Sequence, residues 1–423
     1  LNSIWLVKNS MGGDSDRLQP EVNIGTLGHV DNGKSTIVQA LTGTWTGRHS
    51  EELRRGITIR VGYADMAYYK CQNCSPPISY TTEKKCKFCN SETKLQRLVS
   101  FVDCPGHHSL MVTMLSGAAL MDGALFIIAA NAKCPQAQDR EHMIAAEIAG
   151  IKNLIVVQNK IDLVNRDRAL ENCNEIENFV RGTIAEKVPV IPISAQHKIN
   201  VDVLLETIDK VIPTPKRDPT APPRMHVLRS FDVNKPGTEV KNLVGGVIGG
   251  SVTQGIFRIG NEIETRPGLK IEKGGRARYE PITTSIRSLY VGRSSVEEVK
   301  PGGLVGIGTS LDPALTKSDG LVGSVVGKAG TLPETLDKLT LEVQLLERAV
   351  GTESQVAVDK IKTNEALVLN VSTTVTSGIV TSAREQIIDV TLKNPVCAEP
   401  SSNVAISRRI GEGWRLIGFG KIK

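Results

Sequence analysis

Four short polar segments follow one another along the first half of the chain, and each stands at the end of an apolar, β-prone run. Gly28–Ser35 follows Val22–Leu27, Asp103–Gly106 follows Val99–Val102, Asn159–Asp162 follows Leu154–Gln158, and Ser194–Gln196 follows Val190–Ile193. A further strand-like run is Ala124–Ala130, and helix-period stretches lie at Gln138–Ala149 and Arg168–Ile184. Such alternation predicts a parallel sheet flanked by helices. Ligands of an open sheet of this kind bind beyond the carboxyl ends of its strands, where all four segments would meet.

Each segment suits one part of a nucleotide. In Gly28-His-Val-Asp31-Asn32-Gly33-Lys34-Ser35, followed by the helical run Thr36–Leu41, glycines let backbone N–H groups of residues 31–36 close on phosphates. Lys34 reaches the β- and γ-phosphates, and the Ser35 hydroxyl is a Mg²⁺ ligand. Asn159, Lys160 and Asp162 can read guanine, because a carboxylate accepts from its N1–H and from the exocyclic amine that adenine lacks. Ser194, Ala195 and Gln196 complete the base pocket. Asp103-x-x-Gly106 alone is no more than a turn. In this order, all four predict a site for GTP or GDP with Mg²⁺.

Cys71-x₂-Cys74 and Cys86-x₂-Cys89 are separated by eleven residues. Two such knuckles can set four thiolates tetrahedrally around Zn²⁺, closing the site to catalysis. The segment is too short and polar to hold its shape by burial, so metal would supply its folding energy. Free thiols or a redox pair are the alternatives. Cys104, Cys134, Cys173 and Cys397 read as small buried hydrophobes.

Pro213–Pro223 holds five prolines in eleven residues and reads as an extended linker. Beyond it the strands are short, β-branched and punctuated by glycine, the mark of β-barrels. The expected fold is therefore α/β plus all-β. A nucleotide domain over 21–212 carries a knuckle at 71–89, a linker covers 213–223, and β-barrels occupy 224–331 and 332–423. Residues 1–20 are expected to be a disordered extension. No apolar run approaches the ~20 residues of a membrane span, which points to a cytoplasmic protein. The net charge of +6 is modest. Its C-terminal stretch Asn403–Lys423 sets Arg408, Arg409, Arg415, Lys421 and Lys423 against Glu412 alone, either a solvated strand face or a phosphate-contacting patch.

Gly28-His-Val-Asp31, Asp103-Cys-Pro-Gly-His107 and the run Gly245–Glu262 resemble the elongation-factor branch of translational GTPases. The four-cysteine insertion, Glu52-Leu-Arg-Arg-Gly-Ile-Thr58, Arg229–Gly237 and Trp414–Gly420 narrow the likeness to the γ-subunit family of archaeal and eukaryotic translation initiation factor 2, over residues 21–423. The resemblance implies GTP hydrolysis in which His107 orients the attacking water. Mg²⁺ would be held by Ser35 and Thr58, with Asp103 acting through water, and a second Mg²⁺ by Asp31 and the Gly56 carbonyl. It implies α and β partner subunits and delivery of methionylated initiator tRNA to the small ribosomal subunit. GTPase-activating and nucleotide-exchange factors would assist a slow intrinsic rate. The aminoacyl end would lie near Tyr63, for which core packing is the alternative, and Arg408, Arg409 and Arg415 are candidate tRNA contacts. Asn32 and His108 depart from the family's usual histidine and carboxylate. Two other functions stay open: an elongation-type aminoacyl-tRNA carrier, and a GTP-sensing tRNA-binding scaffold without useful hydrolysis.

Overall fold

The computed structural model describes residues 19–47, 61–106, 111–273, 276–292, 294–350, 356–411 and 413–423. Pro20–Pro215 form one compact unit, and Lys216–Glu347 with Ala357–Lys423 form another.

The first unit is a seven-stranded sheet of β1 (Val22–Leu27), β2 (Gly62–Cys71), β3 (Tyr80–Thr81), β4 (Thr93–Asp103), β5 (Gly123–Ala129), β6 (Leu154–Asn159) and β7 (Val190–Pro192), in the order β3-β2-β4-β1-β5-β6-β7. Its helices are α1 (Lys34–Thr42), α2 (Met111–Ala118), α3 (Ala137–Ile148), α4 (Arg166–Val180) and α5 (Val201–Val211). β1, β5 and β6 are buried at every residue, as parallel strands covered on both faces must be. One core gathers Ile37, Val38 and Leu41 of α1 with Leu204, Leu205 and Ile208 of α5 against Leu125, Ile127, Ile155 and Val157 of the sheet.

The expected parallel sheet is present in β4-β1-β5-β6-β7 and is extended by an antiparallel arm. β2 runs antiparallel to β4, and β3 antiparallel to β2. A parallel return needs a crossover of a dozen or more residues, usually helical. The cysteine segment instead turns straight back, so β2 and β4 form a long ribbon. Parallel register still brings the site together: Thr26 lies beside Asp103, Leu27 beside Phe126 and Ala129 beside Asn159.

In the second unit, β8 (Arg224–Phe231), β9 (Val247–Gln254), β11 (Glu262–Lys273), β12 (Arg276–Val291), β15 (Gly302–Thr309) and β16 (Val325–Gly327) form the ring β11-β16-β8-β9-β15-β12, closed by pairing of β11 with β12. β13 (Ser294–Val296) flanks β12, and β10 (Phe257–Arg258) pairs with β14 (Glu298–Val299). Phe257, Met225, Ile248, Ile286 and Leu289 fill its interior, and a short helix, α6 (Pro313–Thr316), follows β15. A second closed barrel follows the order β17-β20-β19-β18-β21-β22, with β17 Thr335–Leu345, β18 Ala366–Val371, β19 Thr374–Arg384, β20 Ile387–Cys397, β21 Asn403–Ile410 and β22 Gly413–Ile422. Val325, Leu332 and Cys397 pack together between the two barrels.

Candidate nucleotide-binding site

After Leu27 the chain wraps into α1 through three left-handed residues, Gly28 (φ 126), Asp31 (φ 66) and Gly33 (φ 90). A Cβ on Gly28 would lie 2.2 Å from the Ile127 carbonyl oxygen, so only glycine passes there. Gly33, at the N-cap of α1, makes no side-chain cap. An anion beside the first N–H groups of the helix is favoured there by the helix dipole.

Lys34 is 6% exposed, and its Nζ donates to the Gly28 and His29 carbonyls at 2.9 and 2.7 Å. Burial pulls its ammonium down to about 8, against the opposing pull of the Asp103 and Asp139 carboxylates. A buried cation whose acceptors are neutral carbonyls fits a polyphosphate ligand. Asp103 is fully buried at the end of β4. One oxygen accepts from Thr26 Oγ1 at 2.8 Å, and the other from Ser35 Oγ at 2.6 Å and from the Thr46 hydroxyl. Oxygen donors clustered beside a helix N-terminus suit a hard cation such as Mg²⁺. Gly106 closes the arrangement, since a Cβ there would lie 2.3 Å from Lys34 Nζ and 2.9 Å from Val30 N.

Asn159, the last residue of β6, joins the phosphate and base segments. Its Nδ2 donates to Asn32 O at 2.9 Å, and its Oδ1 accepts from Ala195 N at 3.1 Å. Lys160 turns the chain in a left-handed conformation (φ 64). Asp162 then lies on a short 3₁₀ turn, Ile161–Leu163, its carboxylate 3.7 Å from His197 Nε2. Ser194 is buried and its Oγ accepts from His197 N at 3.2 Å. Asp31 and Gln196 are exposed, and Thr36 is half-buried on α1. Gly56, Thr58, His107 and His108 lie outside the described residues.

Four partners of the loop escaped the sequence reading. Thr26 and Thr46 reach Asp103 as above. Asp139 Oδ1 accepts from His29 N at 2.9 Å and from Asn32 Nδ2 at 3.2 Å, while His142 Nδ1 accepts from Gly28 N at 2.9 Å. The available signal was spacing: Asp139 and His142 stand three apart on one face of α3. Asn32 also donates to Ile127 O at 2.8 Å, so the amide found in place of the family's histidine serves as a buried donor.

The knuckle brings its four sulfurs within 4.8 Å of one another. Cys71 and Cys89 approach to 3.4 Å, Cys74 and Cys86 to 3.7 Å. Tetrahedral Zn²⁺ with its sulfurs at ~2.3 Å places them about 3.8 Å apart, so the donor set fits zinc. Hydrogen bonds from the Cys89 and Phe88 backbone hold Cys86 below its ordinary value, and bonds from Ser91 bring Cys89 down to about 6. Both shifts favour thiolates, the ligating form, whereas hydrogen bonding with Cys89 pushes Cys74 up to about 12. Of the candidate tRNA contacts, Arg408 is occupied by Glu365 and by the Asp359 and Lys360 carbonyls. Arg409 is exposed and Arg415 half-buried on the β21–β22 hairpin, while Tyr63 is half-buried on β2. No helix among the described residues is long and apolar enough to cross a membrane.

Residues 19–214 match the family model of the elongation factor Tu GTP-binding domain, and residues 337–422 that of initiation factor eIF2 gamma, C terminal. Translation initiation factor 2 subunit gamma of Methanocaldococcus jannaschii is 57% identical over 405 residues, covering 96% of this chain and 98% of the relative. The Pyrococcus horikoshii protein of that name is 58% identical over 413 residues, 98% of this chain and 100% of the relative. Among solved structures, bacterial selenocysteine-specific elongation factor EF-Sec aligns with a TM-score of 0.71 at 20% identity, over 95% of this chain and 58% of that one. Elongation factor SelB from Methanococcus maripaludis aligns at 0.69 and 22%, over 96% and 79%. These two establish the fold alone. The near full-length relatives establish more: the chain belongs to the translation initiation factor 2 subunit gamma family and is a translational GTPase.

Proposed function

We propose that this chain, in its GTP form, delivers methionylated initiator tRNA to the small ribosomal subunit in the cytoplasm, as the core subunit of a complex with α and β partners. Support for the nucleotide half comes from Asn159, which ties the phosphate loop to the base segment so that one ligand spans both. Lys34 and the N–H groups of residues 31–36 hold the phosphates, and Asp162 with Asn159 selects guanine. Ser35 and Thr58, with Asp103 behind them, would hold Mg²⁺, whose charge would offset that building on the phosphates; Asp31 and the Gly56 carbonyl would hold a second. His107 orients the attacking water, and a GTPase-activating partner accelerates a slow basal rate, with an exchange factor to restore GTP.

For the tRNA, support comes from a cleft of about 690 Å³ in the first barrel, lined among others by Val233, Leu243, Val244, Arg287, Tyr290 and Asp312. Apolar walls with a few polar groups of this size accommodate a terminal nucleoside. Tyr63, Arg409 and Arg415 are further candidate contacts.

Filter binding tests the reading with methionylated initiator and elongator tRNA, under GTP and under GDP, with and without an α subunit. Retention of initiator tRNA, strongest under GTP, is the expected result. Equal retention of elongator tRNA replaces the reading with an elongation-type carrier, no retention overturns it, and retention without stimulated GTP hydrolysis leaves a tRNA-binding scaffold.

A further inference from the structure

Asp139 and His142 touch none of the atoms that would meet a nucleotide, yet they hold the loop that does. Asp139 is fully buried and His142 is 1% exposed. The peptide unit between Gly28 and His29 is gripped at both ends: its carbonyl accepts from Lys34 Nζ at 2.9 Å, and its N–H donates to Asp139 Oδ1 at 2.9 Å. The preceding N–H, that of Gly28, donates to His142 Nδ1 at 2.9 Å. Rotation of the Gly28–His29 peptide would aim a carbonyl at a buried carboxylate and cost the Lys34 ammonium one of its two carbonyl acceptors. Asp139 is itself anchored, since its Oδ2 accepts from Gln136 N at 2.8 Å at the start of α3. Burial keeps His142 neutral, well below its ordinary value, which leaves Nδ1 as an acceptor.

We propose that Asp139 and His142 are positioning residues that lock the phosphate-binding loop in its anion-receiving shape and thereby set how long a guanine nucleotide stays bound. The proposal rests on the nucleotide reading of the site. Its signature is kinetic. A loop free to flip still meets the ligand, so association changes little, while dissociation quickens.

The test is stopped-flow release of a fluorescent GDP from the parent and from His142→Leu, His142→Asn and Asp139→Ala, with each unfolding temperature recorded. Losing the acceptor of one buried N–H is expected to speed release by about 5- to 100-fold, with association within about threefold. His142→Asn, whose Oδ1 can occupy the place of Nδ1, is expected to restore slow release, although as a core substitution it lowers the unfolding temperature. Release from His142→Leu and Asp139→Ala at the parental rate overturns the proposal, as does release from His142→Asn as fast as from His142→Leu. Retention of GDP by the parent checks the underlying reading separately.

Discussion

Gly33→Ala tests the pocket where its two halves join. Gly33 is left-handed at φ 90 and ψ 31, and holding alanine there costs about 1–2 kcal/mol. The new Cβ would lie 2.4 Å from Asn159 Nδ2, far inside contact distance, so the Asn159 amide has to leave. With it go the bonds to Asn32 O and from Ala195 N, each worth about 0.5–1.5 kcal/mol net. The total is about 2–5 kcal/mol. Binding needs the loop and the Asn159 bridge in this shape, so the cost is read on affinity, with the unfolding temperature recording any part borne by the free protein. At about 1.4 kcal/mol per tenfold, GDP affinity should drop by about 30-fold to several-thousand-fold. Calorimetric titration of both proteins at matched Mg²⁺ measures it. A mutant that binds GDP within threefold of the parent would refute the argument, because the φ strain and the Asn159 bridge would both have to be without consequence.

Metal analysis of purified protein should find about one zinc per chain, with Cys86→Ser lowering both occupancy and unfolding temperature; four freely titratable native thiols would contradict this. Asp162→Asn should lose GTP and gain the xanthine nucleotide, since an amide donor suits the carbonyl at position 2 of xanthine, and an unchanged preference in competition binding would remove Asp162 from base reading. His107→Ala should leave GTP affinity intact and slow stimulated single-turnover hydrolysis at least ~100-fold. Lys34 makes GDP binding pH-dependent, because burial sets its free-protein value at about 8 and phosphates would raise it. Below about pH 8 both states carry the proton; above it binding takes one up, and affinity falls by up to about tenfold per unit. Titrations near pH 8.5 in two buffers of unequal ionisation heat would expose the uptake, and a proton count of zero would exclude Lys34 as its source.

The strands that end at the site were legible because each carries its own punctuation. Val22–Leu27 was read with both ends correct, and Leu154–Asn159 to within one residue. β2 was missed, and Thr93–Leu98 of β4 with it, because they flank a cysteine segment that has no strand signal of its own. Likewise Thr284–Val291 is only the latter half of β12, since its earlier half is polar. Motif residues with a ligand-facing role could be named from chemistry. Asp139, His142, Thr26 and Thr46 could not, because their task is to hold the backbone of another element, and that pairing exists only after folding. For Arg408 the run of cations was visible, while its carboxylate partner, Glu365, lies 43 residues away in sequence.

Ring closure of both barrels has a consequence for how any partner can attach. A closed ring offers no unpaired strand to extend, so a partner chain cannot join either ring by adding a strand of its own. In the seven-stranded sheet the two outermost strands are short. β3 has two residues, and β7 has three and ends at Pro192, which lacks an N–H to donate. Attachment at the rings themselves therefore runs through side chains on faces and loops, with β13 and the β10–β14 pair as strand edges beside the first ring. Recognition of that kind is specified by shape and charge, responds to salt, and can be tuned one residue at a time without disturbing the backbone ladder beneath.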